Sequence, residues 1–330
     1  MLSNGDLLKN IGNTPIARLR NMQNGSGVNV WAKLEYFNLT GSIKDRMALY
    51  IIEDAEKRGL LKPGATIIEN SSGNTGTALA MIAAIKGYRC IITIPDKMSE
   101  EKINLMRAYG AEVIVTPTDV PADSPQSYYS VARRLAEETP DSFYPDQYNN
   151  PKNIEAHYRT TGPEIWVQTG GNIDYFVAGI GTGGTLSGTA KYLKERKPDI
   201  KVIAVDPVGS VFYNYFKTGQ CGSPHSYKVE GIGEDYLVKA VDFNLIDDIV
   251  QVTDKDSFIT ARRLAREEGL FGGGSSGSAV WASLKIADKA QPGENVVTIL
   301  PDSGSRYLSK IFNDDWMRQN GYLNRNGDQR

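Results

Sequence analysis

The segment Ala65–Lys86 reads ATIIENSSGNTGTALAMIAAIK. Its opening, Ala65–Glu69, has the mostly apolar, β-branched character of a short strand buried on both faces. Ser71-Ser72-Gly73-Asn74-Thr75-Gly76 is a turn, and Gly76–Lys86 is apolar on nearly all sides, which predicts a helix enclosed by the protein. A buried strand, a tight turn and an enclosed helix form the first part of a βαβ unit, whose natural setting is a parallel sheet covered by helices.

The same alternation extends in both directions. Val28–Glu35 reads as a strand and Ser42–Arg58 as a helix. After the central segment come strand Arg89–Ile94, helix Glu100–Tyr109, strand Ala111–Val115 and helix Ser127–Glu138. A second set begins with a helix over Asn153–Thr169, then strand Ile173–Ala178, helix Thr185–Arg196 and strand Lys201–Val205. It closes with a strand near Ile249–Val252, helices over Asp256–Glu268 and Ser278–Lys289, and strand Asn295–Leu300. The expected class is α/β with a parallel sheet covered on both faces. The tract Thr116–Gln126, with Pro117, Pro121 and Pro125, reads as a loop and not as a linker between domains.

A chain of 330 residues accommodates two ordinary domains or one two-lobed domain. A net charge of −2 gives no electrostatic reason for a nucleic-acid or anionic-membrane partner, and no apolar run reaches the length of a membrane span. The N-terminal residues Met1–Asp6 lack the basic and apolar regions of a signal peptide, so a cytoplasmic location is expected. Cys90 falls in an apolar strand and Cys221 in a loop; neither suggests a disulfide, and Cys221 with His225 does not amount to a metal site.

Three segments carry chemistry. Lys44 lies in Thr40-Gly41-Ser42-Ile43-Lys44-Asp45-Arg46, where Ser42 and Asp45 match the spacing of a capping box at a helix start. The positive end of a helix favours a neutral amine, the form that Schiff-base chemistry requires; an ordinary surface lysine is the simpler reading of that segment alone. Ser71–Gly76 presents hydroxyls, an amide and two glycines at a helix start, a receptor for a small carboxylate or a plain N-cap. Gly179-Ile180-Gly181-Thr182-Gly183-Gly184 matches G-x-G-x-x-G between a strand and a helix. With Asp206 at the end of the next strand, it also fits a dinucleotide site, and hence an NAD(P)-dependent oxidoreductase. Thr182 and Thr185 suit a terminal phosphate monoester better than a pyrophosphate. An amine, a carboxylate turn and a phosphate turn together point to pyridoxal phosphate. Strand Asn295–Leu300 ends in Pro301-Asp302-Ser303-Gly304, which places a further hydroxyl where open α/β sheets bind ligands.

These segments, in this order, resemble the cysteine synthase and cystathionine β-synthase family of fold type II pyridoxal-phosphate enzymes, from Ile11-Gly12-Asn13-Thr14-Pro15 to Asn313-Asp314-Asp315-Trp316-Met317. The resemblance implies a two-lobed, three-layer αβα architecture. Residues 1–11 and 35–150 would form a smaller lobe, residues 12–34 and 151–330 a larger one, with the cofactor between them. It also implies that Lys44 holds the cofactor covalently, that Asn74 reaches the phenolic oxygen, and that Gly181, Thr182, Gly183, Gly184 and Thr185 hold the phosphate. Ser303 would face the pyridine nitrogen, and Ser71, Ser72, Thr75, Gln147 and Gly231 would meet the substrate. A hydroxyl at that nitrogen makes the ring a weaker electron sink than a carboxylate would, which favours β-elimination over transamination.

The implied reaction is β-replacement on L-serine or an O-activated serine through an aminoacrylate, with homocysteine, sulfide or an amine as nucleophile and a homodimer as the working unit. Gly41–Arg46, Asp146-Gln147-Tyr148-Asn149-Asn150 and Val229-Glu230-Gly231-Ile232-Gly233 are similar to the cystathionine β-synthase branch in particular. Thr40 stands where that branch has glycine, and Tyr236-Leu237-Val238 lacks its usual proline; both departures bear on the choice of nucleophile. Control by haem or adenosylmethionine is not expected, nor is a metal. A catalytically silent relative would keep the fold without these competent side chains.

Overall fold

A computed structural model describes residues 6–324 apart from 24 and 122. The N-terminal reading over residues 1–5 therefore lies outside the described residues. The strands are β1 (Ile16–Arg18), β2 (Asn29–Leu34), β3 (Thr66–Asn70), β4 (Arg89–Pro95), β5 (Glu112–Thr116), β6 (Ser142–Phe143), β7 (Tyr175–Gly179), β8 (Lys201–Pro207), β9 (Asp248–Val252) and β10 (Asn295–Leu300). They form two sheets, one of order β5-β4-β3-β6 and one of order β1-β2-β10-β7-β8-β9. Every pairing is parallel except that of β1 with β2. The chain is thus an α/β protein with helix-covered parallel sheets. The parallel pairing of β2 with β10 runs from Asn29↔Asn295 to Leu34↔Leu300, tying the beginning of the chain to its end.

The helices are α1 (Lys44–Lys57), α2 (Asn74–Lys86), α3 (Glu100–Ala108), α4 (Tyr128–Glu138), α5 (Lys152–Arg159), α6 (Thr161–Thr169), α7 (Gly184–Lys194), α8 (Phe212–Thr218), α9 (Asp254–Glu268), α10 (Gly274–Ala287) and α11 (Asp314–Gln319). As its composition requires, α2 is enclosed: every residue from Thr75 to Ala83 is buried. It packs with Ile67, Ile92 and Met106 in the core of the four-stranded sheet. The corresponding helix of the six-stranded sheet is α10, also buried over most of its length.

The structure departs from the sequence reading at several elements. The single helix expected over Asn153–Thr169 is two, broken at Thr160 (φ −123°, ψ −64°). Pro163 explains the break, because its ring has no N–H for the carbonyl of residue 159 and collides with that carbonyl in a continuous helix. The edge strand β1 and the helix α8 did not stand out, being only 3 and 7 residues long. The capping box at α1 is absent. Asp45 does not reach back to Ser42; its carboxylate accepts the Thr40 N–H (2.7 Å) and the Thr40 hydroxyl. Ser42 is instead held by an antiparallel bridge to Asp302. The Thr40 hydroxyl, absent from a glycine at that position, is what claims the carboxylate.

Candidate active site

A cleft of about 720 Å³ opens at the C-terminal ends of the strands and is lined from both sheets. Lys44 stands in its wall at the first residue of α1. The entry to this helix is fixed from the far end of the chain. The Ile43 N–H donates to the Pro301 carbonyl (2.8 Å), and the Ser303 N–H donates to the Gly41 carbonyl (3.2 Å). Burial pulls the Lys44 pKa below its ordinary 10.5, against the opposing pull of Asp302 and Glu234. No hydrogen bond or ion pair from another described residue holds its Nζ, which leaves a desolvated amine free to react.

The turn after β3 forms the second wall. Ser71 lies behind it: its buried Oγ accepts the N–H groups of Gly73 (3.0 Å) and Gly76 (2.9 Å) and braces the turn from inside. Gly73 takes φ +130°, and a Cβ there would come within 2.4 Å of Lys102 Cδ, so no other residue is accommodated. Ser72, Asn74 and Thr75 face the cleft with Gln147. The Thr75 hydroxyl donates to Gln147 Oε1 (2.7 Å), and Gln147 Nε2 donates to the Asn70 carbonyl (3.0 Å), so the two side chains present one fixed surface. Asp146, at φ +51°, turns the backbone immediately before Gln147.

Asn74 has a partner that the sequence did not reveal. Its Nδ2 donates to Asp302 Oδ2 (2.7 Å), which also accepts the Tyr307 hydroxyl (2.6 Å). The amide keeps a second N–H and a buried Oδ1 with no partner in the protein. Ser303 caps the short turn Gly304–Tyr307, its Oγ accepting the Ser305 N–H (3.2 Å), beside the backbone that leads into Lys44.

The turn after β7 forms the third wall. The N–H groups of Gly181, Thr182 and Gly183 make no bond to the backbone, and those of Gly184 and Thr185 open α7, where a helix has no internal acceptors to offer. Its two hydroxyls are held from behind. Asn153 Nδ2 donates to Thr182 Oγ1 (3.0 Å), and His157 Nε2 lies 3.2 Å from Thr185 Oγ1 while its Nδ1 meets Thr161 Oγ1 (2.8 Å). Burial drives the His157 pKa well below 6.5, helped by Lys44 and Arg46, so the imidazole is neutral. A Cβ on Gly184 would stand 2.0 Å from Asn153 Oδ1. Gly231 covers the turn; a Cβ on Gly181 would meet its carbonyl at 2.6 Å. Neither Asn153 nor His157 announced itself in the sequence, since each acts across 28 or 29 residues.

Asp206 does not serve as the ribose acid of a dinucleotide site. It is fully buried, pushed up to about 6 by that burial, and its Oδ2 accepts the Tyr213 N–H (2.9 Å) at the start of α8. Over the cleft mouth, Glu230 accepts hydrogen bonds from Lys102 Nζ (2.5 Å) and Lys310 Nζ (2.7 Å), and Lys310 Nζ also donates to the Lys97 carbonyl (2.9 Å). Because Lys97 and Lys102 flank the start of α3, this cluster joins the two halves of the cleft. Among the described residues no group of histidine, cysteine and acidic side chains could hold a metal, Cys90 and Cys221 are free thiols, and no helix is long and apolar enough to cross a membrane.

Residues 7–302 match the family described as pyridoxal-phosphate dependent enzyme. The chain belongs to that family. Within it, the chain is 48% identical over 320 residues to the cystathionine β-synthase of Apis mellifera, covering 96% of this chain and 63% of that protein. The Mus musculus cystathionine β-synthase is also 48% identical, with 96% of this chain matched to 57% of its length. This chain therefore spans about three fifths of these curated relatives. Among solved structures, the O-acetylserine-dependent cystathionine β-synthase of Helicobacter pylori superposes with a TM-score of 0.86 at 41% identity, covering 94% of this chain and 99% of that one.

The pyridoxal phosphate of this family fits the residues present. Lys44 supplies an unpartnered buried amine, Asn74 an orphaned carbonyl oxygen with a spare N–H, and residues 181–185 a cluster of unpaired N–H donors backed by two positioned hydroxyls.

Proposed function

We propose that this pyridoxal-phosphate enzyme carries out β-replacement on L-serine or an O-activated serine, with a thiol as nucleophile and homocysteine, giving cystathionine, as the first choice. The observation that carries the reading is the position of Lys44. Its free, desolvated amine stands between a turn suited to a carboxylate and a turn suited to a phosphate. The relatives named as cystathionine β-synthases support it.

Bound here, the cofactor supplies an electron-withdrawing ring that acidifies the Cα–H of an amino acid. Lys44, Asn74, Ser303 and residues 181–185 would hold it. Ser72, Thr75 and Gln147 orient the substrate carboxylate, with Ser71 fixing the turn beneath them and Gly231 closing over the site. Lys44, displaced and neutral, removes the Cα proton as general base. The enclosing walls keep bulk water from competing with the incoming thiol.

A second reading is favoured by the name of the Helicobacter pylori structure, in which O-acetylserine is the donor. With either donor, sulfide as nucleophile would yield cysteine, and an amine would yield a diaminopropionate derivative. Incubating holoenzyme with L-serine or O-acetylserine against sulfide, cysteine and homocysteine, with products weighed by mass spectrometry, separates these. Cystathionine is the expected main product; preferential formation of cysteine from sulfide overturns that choice. A cytoplasmic homodimer, with lobes divided near residues 35 and 150, completes the reading. Size-exclusion chromatography with light scattering tests the dimer, and a monomeric mass overturns it.

A further inference from the structure

Glu234 is an acidic side chain of the cleft wall that the mechanism above leaves without a task. It follows Gly231-Ile232-Gly233, and its backbone is held on both sides. Its N–H donates to Ser210 Oγ (3.1 Å), its carbonyl accepts the Val211 N–H (3.1 Å), and the Gly233 N–H donates to the Ile180 carbonyl beside the phosphate turn (2.6 Å). The side chain thus projects into the cleft from a rigid support. Lys44 and Lys97 face it from the other wall, Asp235 adjoins it, and the Tyr148 hydroxyl is its hydrogen-bonding neighbour. Tyr128, Tyr129, Tyr227 and Tyr236 lie near enough to couple to it electrostatically.

Burial, with the nearby Asp235, pushes this carboxyl up to about 8, against the pull of Tyr148, Lys97 and Lys44. It therefore carries a proton at neutral pH and can also accept one from a thiol, whose ordinary pKa is about 8.5. β-Replacement has two proton requirements at the β-carbon. A departing hydroxyl needs a proton, and an incoming thiol must lose one. Lys44 is engaged at Cα.

We infer that Glu234 is the acid–base residue of the β-carbon side and that it equips the site to use unactivated L-serine; this rests on the β-replacement reading. As the Cβ–O bond breaks, its electron pair leaves on oxygen, which takes the Glu234 proton and departs as water. When the Cβ–S bond forms, the thiol proton passes to the Glu234 carboxylate, restoring the acid. An acetate leaving group needs no such proton.

The test compares wild type with Glu234→Gln and Glu234→Asp as holoenzymes, following the rapid absorbance change and leaving-group release when each donor is added without nucleophile. With L-serine, Glu234→Gln is expected to slow this step about 10²-fold, Glu234→Asp to recover part of the rate, and the wild-type rate to fall as pH rises through about 8. With O-acetylserine, Glu234→Gln stays within about threefold of wild type, because no general acid acts on that leaving group. Infrared spectra of the cofactor-free proteins give a readout without turnover: a carboxylic-acid band at neutral pH that is missing from Glu234→Gln. Equal slowing with both donors, an unchanged serine step, or no such band overturns the inference. Wild type that accepts only O-acetylserine also overturns it and leaves β-replacement standing; wild type that accepts neither donor overturns both.

Discussion

The turns after β3 and β7 share one plan, a buried strand followed by a hydroxyl-bearing turn and a helix, yet they manage their hydroxyls in opposite ways. After β7, Thr182 and Thr185 are held from behind by Asn153 and His157, and the backbone N–H groups are left open. After β3, Ser71 is turned inward as a brace, and Thr75 is tied to Gln147, a residue 72 positions away. The turn after β7 has its hydroxyls locked and its backbone N–H groups open, which suits a group that stays bound. The turn after β3 is completed by the Gln147 side chain, itself tied to the Asn70 carbonyl, and faces the cleft with side-chain groups, which suits a molecule that arrives and leaves. Preorganised donors bind without being reordered.

The largest expected effect removes the group that both turns serve. Lys44→Ala should lower turnover about 10⁴-fold and abolish borohydride-sensitive attachment of the cofactor, while the phosphate turn still binds it reversibly. Loss of reversible binding as well would show that the turn after β7 is not self-sufficient. Gly184→Ala attacks that turn directly. A methyl 2.0 Å from Asn153 Oδ1 forces the two apart, with a destabilisation of about 1–3 kcal/mol in thermal unfolding and weaker cofactor retention by dialysis.

A smaller effect is expected on the other side. Thr75→Val leaves Gln147 Oε1 without its donor and should raise the KM for the amino acid about tenfold, the equivalent of about 1.4 kcal/mol, with cofactor retention unchanged. Release of the cofactor in Thr75→Val would erase the contrast between the turns. The smallest effect concerns pH. His157 is neutral in the folded protein with its pKa depressed, whereas the unfolded chain takes up a proton below about 6.5. Stability from this group is therefore complete above 6.5 and declines as pH falls below it. His157→Asn should flatten that decline in unfolding titrations between pH 7 and 5, and an unchanged slope would show that the imidazole does not titrate on unfolding.

Much of the frame was legible because parallel strands and enclosed helices leave long apolar runs. The strand Asn295–Leu300 was read to the residue, and the turns announced themselves through glycine, serine and threonine. What stayed hidden depends on distance along the chain. Asp302 meets Asn74 across 228 residues, and nothing local marks that aspartate as different from its neighbours. Asn153 and His157 sat inside what read as one helix. The misread capping box has the same origin: Ser42 and Asp45 have the right spacing, but the segment after β10, distant in sequence, fixes Ser42, and Thr40 claims the acid.

The shared carboxylate of Glu230 also bears on how molecules enter and leave. Pulling the lobes apart would separate it from Lys102, and Lys310 from the Lys97 carbonyl, stranding a nearly enclosed anion with half of its counter-charge. Any such separation would carry an electrostatic cost set by the protein's own residues, whatever molecule occupied the cleft.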